Sequence, residues 1–402
     1  MKVLHVIGGD LRYGGASKGA CILHNALIKL GVHSSILNDT PTKNNQNLKN
    51  VSYINNSFFY KLMNKAFVSA EKMLKTLFLH SPRETFTIGF FGFDITKLKE
   101  YKEADIIHLH WLNQGFVRIG SLSKIEKPVV WTLRDMWVFT GGSHYSMDFE
   151  KYEKSKLSKI MRKFKKNNYG KKFNFITISN WLKNEAEKSE VLNNFKIRTF
   201  YNNIDLESFK HLSKEKAKNS LKITTKKKIL LYGASNPQSK RKGWEIFINT
   251  LKMLDKSKYY LLIFGNFWSN KILDEIGIEY KSLGFVYDKE TLNSVYSSAD
   301  VFIASSIQDG WPKTFAEAMY CNTPVICFSK TSIAEIVDHK INGYVVENFN
   351  SEKLKDGIDW LVENIENKNL KFENTKNKII NYGSEKIAKK YIELYKDILK
   401  KN

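Results

Sequence analysis

The sequence predicts an α/β protein with two doubly wound parallel sheets. Short apolar runs typical of buried strands alternate with stretches of helical periodicity over residues 2–37, and a second alternation of the same kind begins at residue 228. Such βαβ units build parallel sheets that are covered by helices. A chain of 402 residues is long enough for two or three domains with cores of their own.

Apolar runs and turn residues predict most elements of the two alternations. In the first, we expect a helix at 17–30 and strands at 2–7, 32–37, 104–109, 129–133, 173–179 and 196–201. In the second, we expect strands at 229–233, 259–264, 301–304, 325–328 and 341–347, and a further strand that ends at 283–286. Helices are expected at 243–254, 289–298, 313–320, 333–337 and 384–399. Residues 40–100 do not show this alternation of strands and helices.

Composition indicates a globular protein. Hydrophobic residues make up 42% of the chain and charged residues 26%. We find no cleavable signal peptide and no apolar run long enough for a transmembrane helix. The three cysteines (Cys21, Cys321 and Cys327) lack metal-ligand spacing and lie in apolar settings. They predict buried, reduced thiols in a cytoplasmic protein.

The formal net charge of +23 calls for an anionic partner. Nucleic acid, an anionic membrane surface and anionic substrates all meet that condition. No helix-turn-helix, zinc finger or aromatic RNA-binding signature accompanies the charge, so we expect no nucleic-acid partner.

Two basic stretches are candidates for membrane contact. Residues 58–79 carry aromatic and aliphatic side chains at helical spacing with lysines between them, a pattern typical both of a membrane-surface helix and of a helical hairpin packed on the domain. Residues 151–172 hold ten Lys or Arg residues against one acid. A solvated helix explains that run, but an apolar stripe favours contact with anionic lipid. The stripe consists of Leu157, Ile160, Met161 and Phe164.

The most informative stretch is 309–324, DGWPKTFAEAMYCNTP. It follows the predicted strand at 301–304 and reads as a glycine turn that leads into a helix. Backbone N–H groups at the start of a helix suit an anion such as a diphosphate. Asp309 and Glu317 bracket the turn, and both could face one cavity. An ordinary strand-to-helix turn with solvated or capping acids is the alternative.

A basic cluster begins the predicted helix at 243–254. Lys240, Arg241 and Lys242 precede Gly243 directly. Cations beside helix N–H groups predict a pyrophosphate site, and Arg241 and Lys242 are its best candidates. Solvated surface side chains are the alternative.

In the first half of the chain, polar residues follow the predicted strands. Ligands of open α/β sheets bind beyond the carboxyl ends of the strands. The candidates there are Gly14, Gly15, His110, Arg134, Asp135 and His144. Structural roles in turns or in the core explain the same residues.

These motifs resemble those of a known family. An acid at 309, Glu-Ala-Met at 317–319 and Pro-Val at 324–325 are similar to the donor-site signature of the retaining glycosyltransferases of family 4, which have the GT-B fold. The Arg-Lys-Gly at 241–243 resembles the phosphate clamp of that family.

Two departures from the family pattern stand out. The family usually has Glu where this chain has Asp309, whose reach is one carbon shorter. Residues 131–145, WTLRDMWVFTGGSHY, resemble a bacterial subgroup that usually has His in place of Arg134. Arg134 brings a permanent charge suited to phosphate or carboxylate.

The resemblance implies a domain organisation. It predicts a GT-B protein with two Rossmann-like, doubly wound domains that face each other across a cleft. The acceptor-side domain is expected at 1–205 with a variable insertion at about 40–100, the donor domain at 206–383, and a helix returning to the first domain at 384–402.

The resemblance also implies an activity. It predicts retaining transfer of a sugar from a UDP- or GDP-sugar to a glycan or lipid-linked acceptor in surface polysaccharide synthesis, by a cytoplasmic enzyme on the inner face of the membrane. We find no Asp-x-Asp motif and expect no metal and no cofactor. Rival activities are an inverting transferase or a sugar-nucleotide epimerase, and a non-catalytic protein that binds membrane or nucleic acid is the rival from another class.

The resemblance gives each donor-site residue a role. Arg241 and Lys242 bind the phosphates, Asp309 holds donor-sugar hydroxyls and Glu317 accepts hydrogen bonds from the ribose. The other donor-site candidates are Gly310, Trp311 and Pro312 for the sugar pocket, the amides of Lys313 and Thr314 for the phosphates, and Phe285 for the nucleobase.

Overall fold

The computed structural model describes residues 1–12, 14–41, 48–54, 58–78 and 84–401. Parts of the predicted insertion, at 42–47, 55–57 and 79–83, lie outside the described residues. The chain forms two compact units. The first unit comprises Met1–Asn203 and Ser384–Asn402, and the second comprises Ile204–Gly383.

The first unit is built on a seven-stranded parallel sheet in the order β3-β2-β1-β4-β5-β6-β7. Its strands are β1 (Lys2–Val6), β2 (His33–Asn38), β3 (Val51–Tyr53), β4 (Ile106–Leu109), β5 (Val129–Leu133), β6 (Phe173–Thr177) and β7 (Ile197–Thr199). Its helices up to residue 203 are α1 (Gly15–Lys29), α2 (Phe58–Phe78), α3 (Lys99–Glu103), α4 (Glu150–Glu153), α5 (Lys156–Asn168) and α6 (Asn180–Lys188). The strand order reverses between β1 and β4, as in a doubly wound sheet.

The second unit has a six-stranded parallel sheet in the order β10-β9-β8-β11-β12-β13. Its strands are β8 (Lys228–Ala234), β9 (Tyr259–Gly265), β10 (Tyr280–Ser282), β11 (Val301–Ala304), β12 (Val325–Phe328) and β13 (Gly343–Val346). Its helices are α7 (Lys214–Ser220), α8 (Trp244–Met253), α9 (Lys271–Ile276), α10 (Lys289–Ser298), α11 (Lys313–Tyr320), α12 (Ser351–Glu366) and α13 (Glu373–Ile380). Here the order reverses between β8 and β11.

The last helix, α14 (Ser384–Lys400), belongs to the core of the first unit. Its apolar stripe includes Ile387, Tyr391 and Tyr395, which pack with Leu27 of α1 and Val130 of β5. The helical period that predicted an amphipathic helix at 384–399 therefore corresponds to a face buried against the sheet and α1.

The structure confirms the predicted α/β class with two parallel, doubly wound sheets. All three cysteine thiols are free and buried, as predicted. The inner strands are buried along nearly their whole length, which explains why they appear in the sequence as continuous apolar runs, whereas the edge strands β3, β7 and β10 are mostly half-buried. None of the described helices is long and apolar enough to cross a bilayer.

Several predicted elements differ from the structure. Strand β10 ends at Ser282, and Gly284 follows it in the left-handed region with φ 62°. The predicted helix at 333–337 is a short 3₁₀ turn at Ser332–Glu335. Of the two alternatives for 58–79, the described residues 58–78 form one 21-residue helix, α2.

The apolar stripe of α5 is part of a core. Leu157, Met161 and Phe164 pack with Phe86 and Ile88, and the fourth member, Ile160, is 61% exposed. The interpretation that this stripe faces a membrane is therefore wrong for three of its four side chains. Helical spacing gives the same signal for either partner, because it shows only that one face of a helix is apolar.

Candidate functional site

Two loops meet where the strand order of the second sheet reverses. One follows β8 and carries Arg241 and Lys242, and the other follows β11 and carries Asp309. The amides of Ile307 and Gln308 donate to the carbonyl oxygen of Arg241 at 2.7 and 3.2 Å. This is the position at which doubly wound sheets bind their ligands.

Gly243 allows the two loops to come this close. Its φ is 67°, and a Cβ there would lie 1.9 Å from the carbonyl oxygen of Ser305. The hydroxyl of Ser305 also donates to the carbonyl oxygen of Lys242 at 2.8 Å. Only glycine fits both the left-handed backbone and the contact.

Asp309 is the centre of the site. Its carboxylate oxygen Oδ2 forms an ion pair with Lys242 Nζ, and a guanidinium nitrogen of Arg241 lies 3.9 Å from the same oxygen. The Asp309 residue is 7% exposed and Lys242 is 9% exposed. Ser332 Oγ donates to the carbonyl oxygen of Asp309 at 2.8 Å and fixes the turn. The structure thus brings three of the predicted site residues together.

Two basic side chains meet at this point. Arg241 and Lys242 both approach the carboxylate of Asp309 in a setting with little solvent. Charged groups interact more strongly there than in water, and two neighbouring cations suit an anionic ligand group.

The start of α11 lies beside these cations. Pro312 precedes the helix and no side chain caps it, so the first amides have no acceptor within the helix. Lys242 and residues around these amides line one cavity, among them Ser305, Ser306, Pro312, Thr314 and Phe315. A cationic side chain and a helix N-terminus therefore face the same space, as predicted for an anion site.

Glu317 lies one turn further along α11. Its Oε2 accepts a hydrogen bond from the hydroxyl of Tyr296 on α10 at 2.9 Å. Burial raises the pKa of the Tyr296 phenol well above its usual value, and the charge of Glu317 adds to this effect. The phenol is therefore a permanent donor that fixes the carboxylate. Sequence reasoning missed Tyr296, whose ring looks like any core aromatic at helical spacing.

The remaining donor-site candidates lie in two different loops, one after β11 and one after β10. Gly310 and Trp311 are buried, and the Trp311 ring packs edge-on against Tyr382 at 5.3 Å. Phe285 lies after β10 and packs against Tyr287 at 4.6 Å. Among the described residues, Phe285 makes no ring contact with the cluster around Asp309.

In the first unit, the glycine pair begins α1. Gly14 has φ 82°, and neither Gly14 nor Gly15 has a neighbouring atom within 4 Å of the place that a Cβ would take. The first amides of α1 have no side-chain cap. This start of a helix is therefore open to an approaching ligand.

Asp135 and His144 form a pair after β5. Nδ1 of His144 lies 2.7 Å from Oδ2 of Asp135. The other oxygen of Asp135 accepts from the amide of Trp137 at 2.9 Å, and the amide of Met136 donates to the carbonyl oxygen of His144 at 3.0 Å. The structure thus joins two residues that the sequence could only place at the same end of the sheet.

His110 belongs to a cluster of three buried imidazoles, those of His5, His108 and His110. Its Nε2 lies 2.9 Å from Nδ1 of His5, and the ring of His108 stacks on it at 4.1 Å. Burial lowers the pKa of all three imidazoles well below the usual value, and the charge of Arg134 adds to this shift. Sequence reasoning missed His5 and His108, because both lie inside apolar strands.

The three histidines have ligand atoms within 4.8 Å of one another, a spacing at which a metal ion could be held. However, both ring nitrogens of His108 have partners, the hydroxyl of Tyr395 at 2.6 Å and that of Thr132 at 2.7 Å. The charge of Arg134 acts against a second cation. The residues fit a buried hydrogen-bond network better than a metal site.

Arg134 is buried, with 9% of its surface exposed. It donates from Nη1 to Oδ1 of Asn202 at 2.7 Å, and a Cβ on Gly19 would lie 2.5 Å from that nitrogen. In the part of the chain that the structure describes, Arg134 makes no ion pair with a carboxylate, although Asp135 is its neighbour in sequence. Arg134 is therefore enclosed between α1 and the end of β5.

The chain is similar to known glycosyltransferases. Residues 213–386, which cover most of the second unit, match the family model described as "Glycosyl transferases group 1". Over 304 residues, the chain is 26% identical to an uncharacterized glycosyltransferase of Methanocaldococcus jannaschii, covering 73% of this chain and 75% of that protein. Over 117 residues, it is 30% identical to O-antigen chain mannosyltransferase B of Escherichia coli, covering 27% of this chain and 30% of that protein.

Two solved structures share the fold. Sucrose-phosphate synthase from Thermosynechococcus elongatus superposes with a TM-score of 0.72 at 15% identity over 100% of both chains. The Anabaena protein HepE in complex with UDP-glucose superposes with a TM-score of 0.67 at 15% identity, covering 99% of this chain and 100% of that chain. The protein is a glycosyltransferase with the GT-B fold. The group 1 match of this glycosyltransferase includes Arg241, Lys242, Asp309 and Glu317.

Proposed function

We propose that this glycosyltransferase moves a sugar from a UDP- or GDP-sugar to a glycan or lipid-linked glycan acceptor, with retention of the anomeric configuration and without a metal ion. The observation that carries the proposal is the convergence of Arg241, Lys242 and the start of α11 around Asp309. These groups match the two ends of an activated sugar, since cations and amides bind the diphosphate and a carboxylate binds sugar hydroxyls.

The diphosphate is the leaving group, so catalysis depends on stabilising the charge that develops on it. Lys242 and Thr314 line one cavity at the start of α11, and Arg241 adds a second cation. In this proposal the amides of Lys313 and Thr314 bind the phosphates. Fixed donors that face a developing charge supply much of the rate enhancement of many enzymes.

Asp309 and Glu317 bind the two hydroxyl-bearing parts of the donor. Both cations approach Oδ2 of Asp309, which leaves Oδ1 for donor-sugar hydroxyls. Glu317 accepts from the ribose while Tyr296 holds its other side. Gly310, Trp311 and Pro312 shape the sugar pocket, and Phe285 lies by the nucleobase, as the family resemblance implies.

Retention follows from the proposed chemistry of the donor. The acceptor hydroxyl attacks the anomeric carbon from the face that the diphosphate leaves, and a phosphate oxygen takes the hydroxyl proton. In this step the bond from carbon to the diphosphate breaks as the bond to the acceptor oxygen forms. No side chain is a covalent nucleophile, which agrees with a site made of cations, amides and hydrogen-bond acceptors.

The first unit provides the acceptor side in this proposal. The open start of α1 at Gly14 and Gly15 and the pair of Asp135 and His144 are polar groups beyond strand ends, where α/β sheets bind ligands. His110 and Arg134 are buried in the same unit, and Arg134 lies against Gly19 of α1. A role in surface polysaccharide synthesis is supported by the similarity to an O-antigen mannosyltransferase. A position on the inner face of the cell membrane is supported by the net charge of +23.

Nucleotide-dependent thermal stabilisation tests the proposal. UDP or GDP should raise the melting temperature in buffer with EDTA, and the matching nucleotide sugar should be consumed when acceptor is added. NMR of the product should show the anomeric configuration of the donor. An inverted anomer would identify an inverting transferase, and no stabilisation by any nucleotide would contradict the donor site.

A further inference from the structure

Helix α2 exposes an apolar face to solvent. Phe58 is 83% exposed, Phe59 65%, Leu62 58% and Met73 59%. At the 3.6 residues per turn of an α-helix, positions 58, 59, 62, 66, 69 and 73 fall within an arc of about 100°, so the four exposed apolar side chains lie on one side of the helix. Single exposed apolar residues are common on proteins, but a group on one helix face marks an interaction surface.

The opposite face of α2 packs against other residues of the first unit, so the exposed face points to solvent. The ring of Phe67 contacts those of Phe91 and Phe93 at 6.5 and 5.2 Å. The carboxylate of Glu71 accepts from the amides of Ile88 and Gly89, both at 2.8 Å. The single acid of α2 is thus used inside the unit, and its outward face is free of negative charge.

Lysines flank the exposed apolar residues. Lys61, Lys65 and Lys72 are exposed, and Lys65 and Lys72 share the outward face with Leu62. Helix α5 lies beside α2, because Leu74 of α2 and Phe164 of α5 pack in one cluster. The exposed lysines of α5 add positive charge there, and they are Lys156, Lys159 and Lys163.

We propose that α2 docks this protein on an anionic lipid bilayer. Phe58, Phe59 and Leu62 enter the boundary between headgroups and acyl chains, and the flanking lysines contact lipid phosphates. The proposal rests on the part of the proposed function that locates the chain at a membrane, and it names the element responsible. The proposal assigns membrane contact to α2 and not to α5, because three of the four side chains in the apolar stripe of α5 pack inside the unit.

Charge and polarity favour lipid over other occupants. A bilayer offers an anionic surface above an apolar interior, which matches lysines beside aromatic side chains. A second copy of this chain would bring the lysines of one α2 against those of the other, and like charges repel.

Vesicle sedimentation with the full chain tests this assignment. The wild type should bind vesicles of equal parts phosphatidylcholine and phosphatidylglycerol, and binding should weaken as salt is raised. The variant F58S/F59S/L62S should bind at least about tenfold more weakly, since it loses the inserted apolar surface. The single variant F58S should show a smaller loss of the same kind, and it provides a second measurement if the triple variant is unstable.

Matched controls come from the second unit. I341S removes an isoleucine that is 47% exposed, and K252Q/K256Q removes two exposed lysines. Both should bind vesicles like the wild type. K61Q/K65Q/K72Q should lose most of the preference for anionic over neutral vesicles.

Three outcomes would overturn the proposal. One is vesicle binding by F58S/F59S/L62S and F58S that equals that of the wild type, and another is a wild type that does not bind anionic vesicles. The third is a dimer in sedimentation velocity that the triple variant abolishes, since this would assign the face to a second copy. Stabilisation by UDP or GDP is measured on the same samples. A wild type that is stabilised by UDP or GDP but does not bind anionic vesicles would contradict the docking proposal and leave the donor site supported. A wild type that binds vesicles but is not stabilised by either nucleotide would do the reverse.

Discussion

Lys242 Nζ and Asp309 Oδ2 form a buried ion pair that joins the loops after β8 and β11. The pair lies where the strand order of the second sheet reverses. The same contact therefore holds the two loops together and positions the charges of the proposed donor site. Arg241, 3.9 Å from the same oxygen, brings a second positive charge to the site.

Lys242→Met should cost both stability and activity. It leaves the Asp309 carboxylate buried with Arg241 as its remaining cation, and breaking a buried pair typically costs about 3 kcal/mol or more. We expect a lower urea midpoint for the second unit and loss of sugar transfer. Lys252→Met, on the exposed surface of the same unit, should change neither. The double variant Lys242→Met/Asp309→Leu should recover stability without recovering transfer. If transfer survives in either variant, the ion pair is only structural.

Gly243→Ala should be much more harmful than Gly277→Ala. The two glycines have similar φ values of 67° and 71°, but a Cβ at 243 would lie 1.9 Å from a carbonyl oxygen, whereas one at 277 would have no atom within 4 Å. Left-handed strain alone costs roughly 1 kcal/mol, and we expect that loss at Gly277 with transfer activity retained. Gly243→Ala should also separate the two loops and abolish nucleotide binding. Equal effects in thermal melts and nucleotide titrations would contradict the importance of this contact.

Tyr296→Phe should weaken donor binding without slowing the chemical step. The substitution removes the hydrogen bond from the phenol to Glu317, which is expected to cost about 1 kcal/mol or roughly a fivefold rise in KM for the nucleotide sugar. Steady-state kinetics should show kcat within about twofold of the wild type. A fall in kcat with unchanged KM would contradict the assignment of Glu317 to ribose binding.

The imidazoles of His5, His108 and His110 should make stability fall at acidic pH. Burial lowers their pKa well below the value of 6.5 for an exposed imidazole, so the unfolded chain binds more protons than the folded one below about pH 6.5. Stability is then full above that pH and decreases as pH falls, by about 1.4 kcal/mol per pH unit for each imidazole. Melting temperatures of His110→Gln between pH 7 and 5 should fall less steeply than those of the wild type. His33→Gln changes an exposed imidazole and should leave the slope unchanged. Parallel slopes for all three proteins would contradict this account.

Much of the fold could be predicted because buried parallel strands have a strong signal. The strands at Val129–Leu133, Val301–Ala304 and Val325–Phe328 coincide with the predicted ranges, as do the helices Lys289–Ser298 and Lys313–Tyr320. Charged residues beside the starts of two predicted helices were enough to select Asp309, Arg241 and Lys242 as site candidates. Their contact follows from the strand order of the sheet.

The rest depended on tertiary contacts that leave no local pattern. Tyr296 and Glu317 are 21 residues apart, and a tyrosine that donates to a site carboxylate has the same spacing as one that only packs. His5 and His108 alternate with apolar neighbours inside strands, so nothing in the sequence marks them as a cluster. The interpretation of the α5 stripe as a membrane contact was wrong for a related reason. The sequence of an amphipathic helix does not indicate which apolar surface the helix packs against.

Isothermal titration of UDP and GDP in buffer with EDTA tests the central claim most directly. Wild-type protein and the control Lys252→Met should bind one of the two nucleotides equally well without a divalent cation, and Arg241→Met should bind it at least about tenfold more weakly because a charged hydrogen bond to phosphate is lost. Binding of neither nucleotide by the wild type, or equal binding by Arg241→Met and Lys252→Met, would show that the cations beside Asp309 do not form a diphosphate site.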